Sequence, residues 1–376
     1  MNRFAAEIDL DAISANVARL DQVSGDAAVM AVVKADGYGH GMLPSARAAI
    51  AGGANWLGVA FAEEALALRA AGIDVPLLAW LLSPTDDFES LVRADVDVSI
   101  SAPWALDLLV AAAERAGRPG HVHLKADTGL GRAGATRADW PDLVTAAAKA
   151  AADGTVEVTG VWSHLAYADA PTHPTIAAQV AAFTEALDVA DRAGVRPRVR
   201  HLANSAATLS LPDTHYDVVR PGIAVYGLSP GPEVGTATEL GLRPAMTLRA
   251  EVALVKRVPA GQGVSYAHRY TTQRETTLAL VPLGYADGVP RHATNVGPVS
   301  IAGRRYRISG TVCMDQFVVD VGDDTVEAGD AAVLFGPGDN GEPTADDWAV
   351  AVGTINYEIV SRIGARVPRS YTVGSA

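Results

Sequence analysis

Short runs of β-branched and other apolar residues alternate with alanine-rich segments from about residue 28 to residue 226. The alanine-rich segments, such as AEEALALRAAG and PWALDLLVAAAERAG, repeat apolar residues at helical spacing and end on glycine. Eight β-then-α units in about 200 residues are what a (β/α)8 barrel requires. The eight predicted strands are 28–36, 57–61, 76–82, 96–102, 121–127, 157–165, 199–205 and 218–226.

The same alternation also fits an open, doubly wound sheet. Polar residues decide between the two folds, because several lie at or just past the carboxyl ends of different predicted strands. These residues are Lys34, Arg132, His164, Asn204, Ser205 and Arg220. Active sites of (β/α)8 barrels are assembled at that end of the strands, so the convergence favours a closed barrel.

The pattern changes near residue 243. Short strand-like runs such as TTLALVPLG and QFVVDV are now broken by Gly, Pro and Asp, with little helical periodicity. We therefore predict an α/β chain whose residues 1–242 form a (β/α)8 barrel and whose residues 243–376 form an all-β domain.

Composition excludes several classes of protein. A net charge of −13 argues against a nucleic-acid partner, since phosphate binding needs clustered Lys and Arg. No stretch approaches the roughly 18 uncharged apolar residues of a membrane span. One cysteine, Cys313, excludes an intramolecular disulfide framework and a cysteine zinc cluster. We expect a cytoplasmic protein with no metal site.

The sequence GLGRAG, residues 129–134, formally satisfies the dinucleotide-binding pattern G-x-G-x-x-G. That pattern also needs an acidic residue about 20 positions on, at the end of the next strand. The next predicted strand ends near Asp169, too far along the chain. A tight βα turn is the better interpretation, although it leaves Arg132 within the turn unexplained.

Lys34 follows a run of apolar residues, and burying an ammonium group is costly unless it is paired, neutralised or used chemically. One interpretation is a lysine that extends out of a strand end into water. The other is an amine whose pKa is lowered by burial, able to form a Schiff base and move a proton. Lys34 alone does not distinguish the two.

The stretch AVVKADGYGHG around Lys34 resembles the pyridoxal-phosphate lysine motif of alanine racemases. Eight further blocks resembling that family follow in order, up to residue 369. They are HLKADTGLGRAG, GVWSHLAYAD, HLANSAATL, VVRPGIAVYG, GVSYAHRY, PLGYADGVPR, GTVCMDQFVVDV and GTINYEIVSRIGARVPR. The resemblance implies pyridoxal 5'-phosphate as cofactor, a (β/α)8 barrel and a β domain.

By this resemblance, Lys34 carries the cofactor and is one catalytic base. Tyr266 is the other and comes from the second subunit of a homodimer with composite active sites. His164 lies between Tyr266 and Arg220, and Arg220 faces the pyridine nitrogen and keeps it unprotonated.

The resemblance also assigns the remaining contacts. The other cofactor-binding residues are Tyr38, Trp80, Asn204, Ser205, Gly222, Ile223 and Tyr357. The substrate-binding residues are Arg132, Tyr285, Met314 and Asp315. Lys125 matches a lysine that is carbamylated in many members, although an ordinary strand lysine would look the same.

The implied function is a two-base interconversion of L- and D-alanine that supplies D-alanine for peptidoglycan. The nearest alternative is a pyridoxal-phosphate racemase of serine or of broader specificity. A decarboxylase of basic amino acids and a cofactor-carrying regulatory protein are further alternatives, which lack a counterpart of Tyr266.

Overall fold

The computed structural model describes residues 3–373, and strands alternate with helices along most of the first 226 of them. The strands of this part are β1 (Phe4–Asp9), β2 (Ala28–Val32), β3 (Trp56–Val59), β4 (Leu77–Ala79), β5 (Asp97–Ile100), β6 (Gly120–Lys125), β7 (Val156–Trp162), β8 (Val199–His201) and β9 (Val218–Val219). The helices are α1 (Leu10–Ser24), α2 (Lys34–Tyr38), α3 (Met42–Ala51), α4 (Ala62–Ala70), α5 (Phe88–Arg93), α6 (Pro103–Ala116), α7 (Trp140–Ala152), α8 (Thr175–Arg192) and α9 (Ser205–Ser210).

Eight of these strands form one parallel sheet in the order β8-β7-β6-β5-β4-β3-β2-β9. Its two ends also meet, because the Arg220 N–H donates to the Ala203 carbonyl at 2.9 Å and Asn204 forms a bridge with Arg220. The sheet is therefore a nearly closed barrel, as predicted. It belongs to a compact unit of residues 13–37 and 45–242.

All eight predicted strands are present, but most end earlier than predicted. The clearest case is the last, where the ladder of β9 covers only Val218–Val219. The apolar residues that follow form a buried 3-10 turn, Ile223–Tyr226. Apolar residues beyond a strand end are buried here without pairing, so hydrophobicity alone overestimates strand length.

The second compact unit contains residues 3–12, 38–44 and 243–373. Its further elements are β10 (Met246–Glu251), β11 (Leu254–Val258), β12 (Gly263–Val264), β13 (Tyr270–Thr271), β14 (Thr276–Val281), β15 (Pro298–Ile301), β16 (Arg304–Arg307), β17 (Phe317–Gly322), β18 (Ala331–Phe335), β19 (Arg369–Thr372), α10 (Ala345–Val352) and α11 (Asn356–Ser361). Across residues 3–373, no helix is long and apolar enough to cross a membrane.

Sheets dominate this second unit. A six-stranded sheet has the order β16-β15-β18-β10-β1-β19, and β11, β14 and β17 form a three-stranded sheet. The structure thus has the separate C-terminal sheet domain that we expected, with two short helices in addition. The boundary at residues 242 and 243 stays a prediction, and β1 pairs with β10 and β19 rather than with barrel strands.

Within the barrel unit, Arg69 at the end of α4 ties successive βα units together. Its guanidinium donates to the carbonyls of Ile73 and Val75 before β4, at 2.6 and 2.8 Å. It also donates to the carbonyls of Ala94 and Asp95 before β5, at 3.0 and 2.9 Å. Backbone carbonyls outside helices and sheets still need hydrogen-bond donors. The single side chain of Arg69 supplies donors to the loops before β4 and β5.

We expect Arg69→Ala to lower the free energy of unfolding by about 2 kcal/mol, since three partly buried and one exposed charge-assisted hydrogen bonds are lost. Urea unfolding monitored by circular dichroism measures the change. Arg47→Ala is the matched control, because Arg47 donates a single 3.3 Å bond to the Ala71 carbonyl. Equal stability losses in the two variants would contradict this role of Arg69.

Candidate active site

Lys34 lies two residues beyond the end of β2 and is half-buried. Its Nζ is 5.7 Å from the ring centroid of Trp80. Burial, followed by the positive charge of Arg132, lowers the pKa of the Lys34 amine, while Glu64 opposes this. The structure thus favours the second interpretation of Lys34, in which more of the amine is uncharged near neutral pH and able to act as a nucleophile or base.

The backbone after Lys34 forms the left-handed turn α2. Ala35, Asp36 and Tyr38 have φ of 53°, 52° and 52°, a conformation that costs roughly 1–2 kcal/mol for each non-glycine residue. Glu64 holds this turn, because its Oε1 accepts the Ala35 N–H at 2.7 Å. Its Oε2 accepts the Ala60 and Phe61 N–H groups at 2.9 and 3.1 Å. One carboxylate therefore fixes the loops after two neighbouring strands.

Arg220 directly follows β9 and is 4% exposed. Its guanidinium donates to Nδ1 of His201 at 3.1 Å and to Nδ1 of His164 at 3.2 Å. It also donates to the carbonyls of Ser163 and Leu202, at 2.8 and 3.2 Å. Burial lowers the pKa of Arg220 to about 9, so the group is still charged at neutral pH.

Both histidines beside Arg220 are neutral. Burial, followed by the charge of Arg220, lowers the pKa of His164 and of His201 well below the usual value. An arginine N–H can only donate, so each Nδ1 must be an acceptor and the ring proton of each histidine is on Nε2. The predicted pairing of His164 with Arg220 is present.

Lys125 ends β6 and is 4% exposed. Its Nζ lies 4.1 Å from the ring centroid of Trp162, and the Arg220 guanidinium lies 4.7 Å from the same ring. Burial, followed by the charges of Arg220 and Arg132, lowers the pKa of Lys125 to about 7. Trp80 packs beside Trp162, with ring centroids 6.1 Å apart. The carboxyl end of the barrel therefore combines several cationic groups with aromatic faces.

Arg132 lies exposed in the GLGRAG turn after β6. Asp127 shapes this turn by accepting the N–H groups of Gly129 and Gly131, at 2.9 and 3.1 Å. Gly134 has φ of 122°, and a Cβ there would lie 2.5 Å from the Asp127 nitrogen. The glycines thus shape the backbone around Arg132, but residues 126–139 form a long loop between β6 and α7 rather than the tight βα turn that we predicted.

Ser205 opens α9 and is buried. Its Oγ accepts the N–H groups of Gly222 and Ala224, at 2.8 and 3.3 Å. Asn204 is the N-cap, with Oδ1 accepting the Ala207 N–H at 3.1 Å. Ile223 is buried in the adjoining 3-10 turn. A hydroxyl that accepts two N–H groups keeps its own hydrogen, which it can donate to an anion.

The second unit contains the other predicted residues. Tyr38 and Tyr357 lie together, with ring centroids 6.3 Å apart, and burial raises the pKa of Tyr38 so that it stays a hydroxyl donor. The carbonyl of Tyr266 accepts a 2.8 Å hydrogen bond from Thr311, and the Tyr266 side chain is 72% exposed.

Thr311, which donates to the Tyr266 carbonyl, belongs to the same loop as Met314. The carbonyl of Cys313 accepts the Tyr285 N–H and that of Met314 accepts the Ala286 N–H, both at 3.0 Å. Asp315 instead pairs with Arg366 at 2.8 Å. Tyr266, Tyr285 and Met314 thus belong to one cluster of exposed loops.

Sequence reasoning missed three residues of the barrel site. Glu64 has only a partial signal: it is the third residue of α4 and accepts the N–H of the N-cap residue Phe61, but Phe61 has no acceptor side chain to complete a capping box. His201 and Trp162 are within blocks that resemble the family, but their neighbours are distant in sequence. His201 stacks on Trp162, with ring centroids 5.4 Å apart.

We expect Glu64→Gln to lower the pKa of Lys34 further, because the variant removes the negative charge that opposes burial and Arg132. The pH dependence of the rate at which an amine-reactive reagent labels Lys34, followed by peptide mass spectrometry, measures this pKa. Glu63→Gln is the control, since Glu63 is exposed on the same helix turn. An unchanged or raised pKa in Glu64→Gln would refute the assigned interaction.

Comparisons with known proteins identify the family of the chain. The alanine racemase N-terminal domain family matches residues 8–230, and the alanine racemase C-terminal domain family matches residues 245–371. An alanine racemase of Frankia casuarinae is 68% identical over 369 residues, covering 98% of this chain and 96% of the relative.

Solved structures are similarly close. The crystal structure of alanine racemase from Streptomyces lavendulae has a TM-score of 0.99 and 59% identity, covering 100% of this chain and 98% of that one. Alanine racemase from Bacillus anthracis with bound L-Ala-P has a TM-score of 0.89 and 36% identity, covering 99% and 95%. This chain belongs to the alanine racemase family, whose members are isomerases that interconvert L- and D-alanine.

Proposed function

We propose that alanine racemisation by this chain uses pyridoxal 5'-phosphate and two proton-transfer groups, Lys34 and Tyr266. Racemisation removes a proton from one face of Cα and returns one to the opposite face, so it needs a group on each side. The observation that carries the proposal is the Lys34 amine, whose pKa is lowered by burial and Arg132 at the carboxyl end of a barrel strand. A lowered pKa increases the fraction of the amine that is uncharged and able to accept a proton.

The residues around Lys34 fit the cofactor. Lys34 offers an amine that reacts with an aldehyde, and Ser205 offers a hydroxyl anchored by two main-chain amides for a phosphate. Arg220 offers a buried donor for a ring nitrogen. When bound, pyridoxal phosphate supplies an electron sink that makes the Cα proton acidic.

Arg220 would restrain that electron sink. A guanidinium donates a hydrogen bond and holds its protons strongly, so the ring nitrogen facing it stays unprotonated. Asn204, Gly222, Ile223 and the hydroxyls of Tyr38 and Tyr357 complete the proposed phosphate contacts, and Trp80 flanks Lys34. Main-chain amides and hydroxyls bind a phosphate without further basic side chains.

Tyr266 would act from the second subunit of a homodimer. Its side chain is 72% exposed, beside the exposed side chains of Met314 and Tyr285, which are 52% and 42% exposed. Clustered exposed side chains of this size are typical of interfaces. His164, with its proton on Nε2, would donate to the phenolate of Tyr266 and stabilise it, since the ordinary tyrosine pKa is near 10.

Arg132 would bind the substrate carboxylate, together with Met314 and Asp315 of the second subunit, and Tyr285 would narrow the entrance. A narrow entrance favours a methyl side chain, so we propose alanine over serine or larger residues. Turnover of alanine, serine and lysine by one preparation distinguishes these substrates. We also propose that the enzyme is cytoplasmic, as its single cysteine suggests, and supplies D-alanine for peptidoglycan.

We expect Lys34→Ala to abolish both the visible absorption of bound cofactor and racemisation. Tyr266→Phe should keep the absorption and lower kcat by about 10²–10⁴-fold, the usual contribution of a general acid-base group. Circular dichroism at fixed alanine concentration measures racemisation. Native turnover by Tyr266→Phe would rule out the second base.

The composite site can be tested by mixing subunits of Lys34→Ala and Tyr266→Phe. Hybrid dimers should contain one site with both substitutions and one intact site. Random mixing should restore about one quarter of native activity, because half of the dimers are hybrids with one intact site in two. No recovery after confirmed subunit exchange would show that both residues act within the same chain.

We propose that Lys125 is carbamylated. Its pKa of about 7 leaves much of the amine uncharged at neutral pH, and an anion there would balance nearby cationic groups. Enzyme equilibrated with ¹³C-bicarbonate should show a carbamate carbon by NMR. Lys125→Met should lose that signal, while Lys149→Met, on an exposed helix face, should keep it. A native spectrum without the signal would contradict carbamylation.

A further inference from the structure

Two buried side chains, His123 and Asp97, continue the hydrogen-bonded pair of Arg220 and His201 into the barrel. His201 Nε2 is 2.8 Å from His123 Nδ1, and His123 Nε2 is 2.8 Å from Asp97 Oδ2. The other Asp97 oxygen is 3.3 Å from His121 Nδ1. His123 and His201 are completely buried, and Asp97 is 5% exposed. We call Arg220, His201, His123 and Asp97 the buried relay.

The buried relay crosses from one end of the barrel to the other. Asp97 begins β5, His123 is in the middle of β6, His201 ends β8, and Arg220 follows β9. The contact between the imidazoles passes over β7 at Gly160, where a Cβ would lie 2.2 Å from His123 Nδ1. The missing side chain at Gly160 therefore makes this contact possible.

The proton positions in the buried relay follow from its two ends. Arg220 can only donate, so His201 Nδ1 accepts and His201 Nε2 carries the proton. His123 Nδ1 then accepts, and its own proton is on Nε2, directed at Asp97. An ionised carboxylate only accepts. Every hydrogen bond consequently points from Arg220 towards Asp97, and both imidazoles are neutral.

The buried positive charge of Arg220 needs a negative charge to balance it. Within residues 3–373, the Arg220 guanidinium donates to two ring nitrogens and two carbonyls, all of which are neutral. A buried charge is costly without a counter-charge. Burial alone would raise the pKa of Asp97, but hydrogen bonds from His121 and His123 lower it to about 2, so its negative charge persists.

We infer that Asp97, acting through His123 and His201, is the counter-charge and positioning group of Arg220. By polarising the buried relay, the carboxylate stabilises the protonated guanidinium and keeps it from releasing a proton at the reaction site. The consequence for the reaction rests on the proposed placement of Arg220 at the ring nitrogen of the cofactor. Asp97, His123 and His201 are positioning residues that do not touch the substrate.

Long-range ¹⁵N–¹H spectra of histidine-labelled holoenzyme test the buried relay directly. His123 and His201, assigned through His123→Gln and His201→Gln, should each carry a single ring proton, on Nε2. A charged His123, or a proton on Nδ1 of either ring, would overturn the inference. This result does not depend on the reaction that the enzyme catalyses.

The effect on the reaction is tested with Asp97→Asn in the holoenzyme. We expect pyruvate formed per racemisation event, the measure of the transamination side reaction, to rise about tenfold, the equivalent of a one-unit pKa change in Arg220. The histidine signals of His123 and His201 should change as well. An unchanged pyruvate ratio in folded Asp97→Asn would overturn the role of Asp97 in the reaction.

Asp95→Asn is the matched control. Asp95 lies two residues from Asp97 and is 3.9 Å from His121, but it pairs with Arg118 outside the buried relay. It should keep the native pyruvate ratio and the native spectra of His123 and His201. The same rise in Asp95→Asn would attribute the effect to net charge and overturn the inference. Absence of racemisation in the native enzyme would instead contradict the proposed function.

Discussion

Arg220 is 4% exposed, and its guanidinium meets two imidazole nitrogens and two carbonyl oxygens within 3.2 Å. A group that can only donate fixes the proton positions of both imidazoles. Its charge, after burial itself, also lowers the pKa of Lys125, His164 and His201. The chemistry at the carboxyl end of the barrel therefore depends on keeping one cation buried.

This constraint connects the fold with the site. Parallel strands bring residues that are distant in sequence to one end of a barrel, and the loops that follow the strands hold them there. Glu64 and Asp127 shape two of those turns through backbone N–H groups. The same two carboxylates therefore hold the loops in shape and add negative charge near the site.

Much of this was predictable from sequence, and the limits are physical. Apolar runs between helical segments predicted all eight barrel strands, and the polar residues at several strand ends predicted the candidate site. Pairing of β1 was not predictable, because its partner residues lie far along the chain, as with Ala6 and Leu248. The contact between His123 and His201 was not predictable for the same reason, because the two residues are 78 positions apart.

Neutron diffraction from crystals of the deuterated holoenzyme would locate the protons of Arg220 and His164. We expect deuterium on all five guanidinium N–H positions of Arg220, with Nδ1 of His164 bare and deuterium on its Nε2. Deuterium on His164 Nδ1, or a guanidinium lacking a deuteron at neutral pH, would show that Arg220 is not a charged donor that fixes the proton of His164.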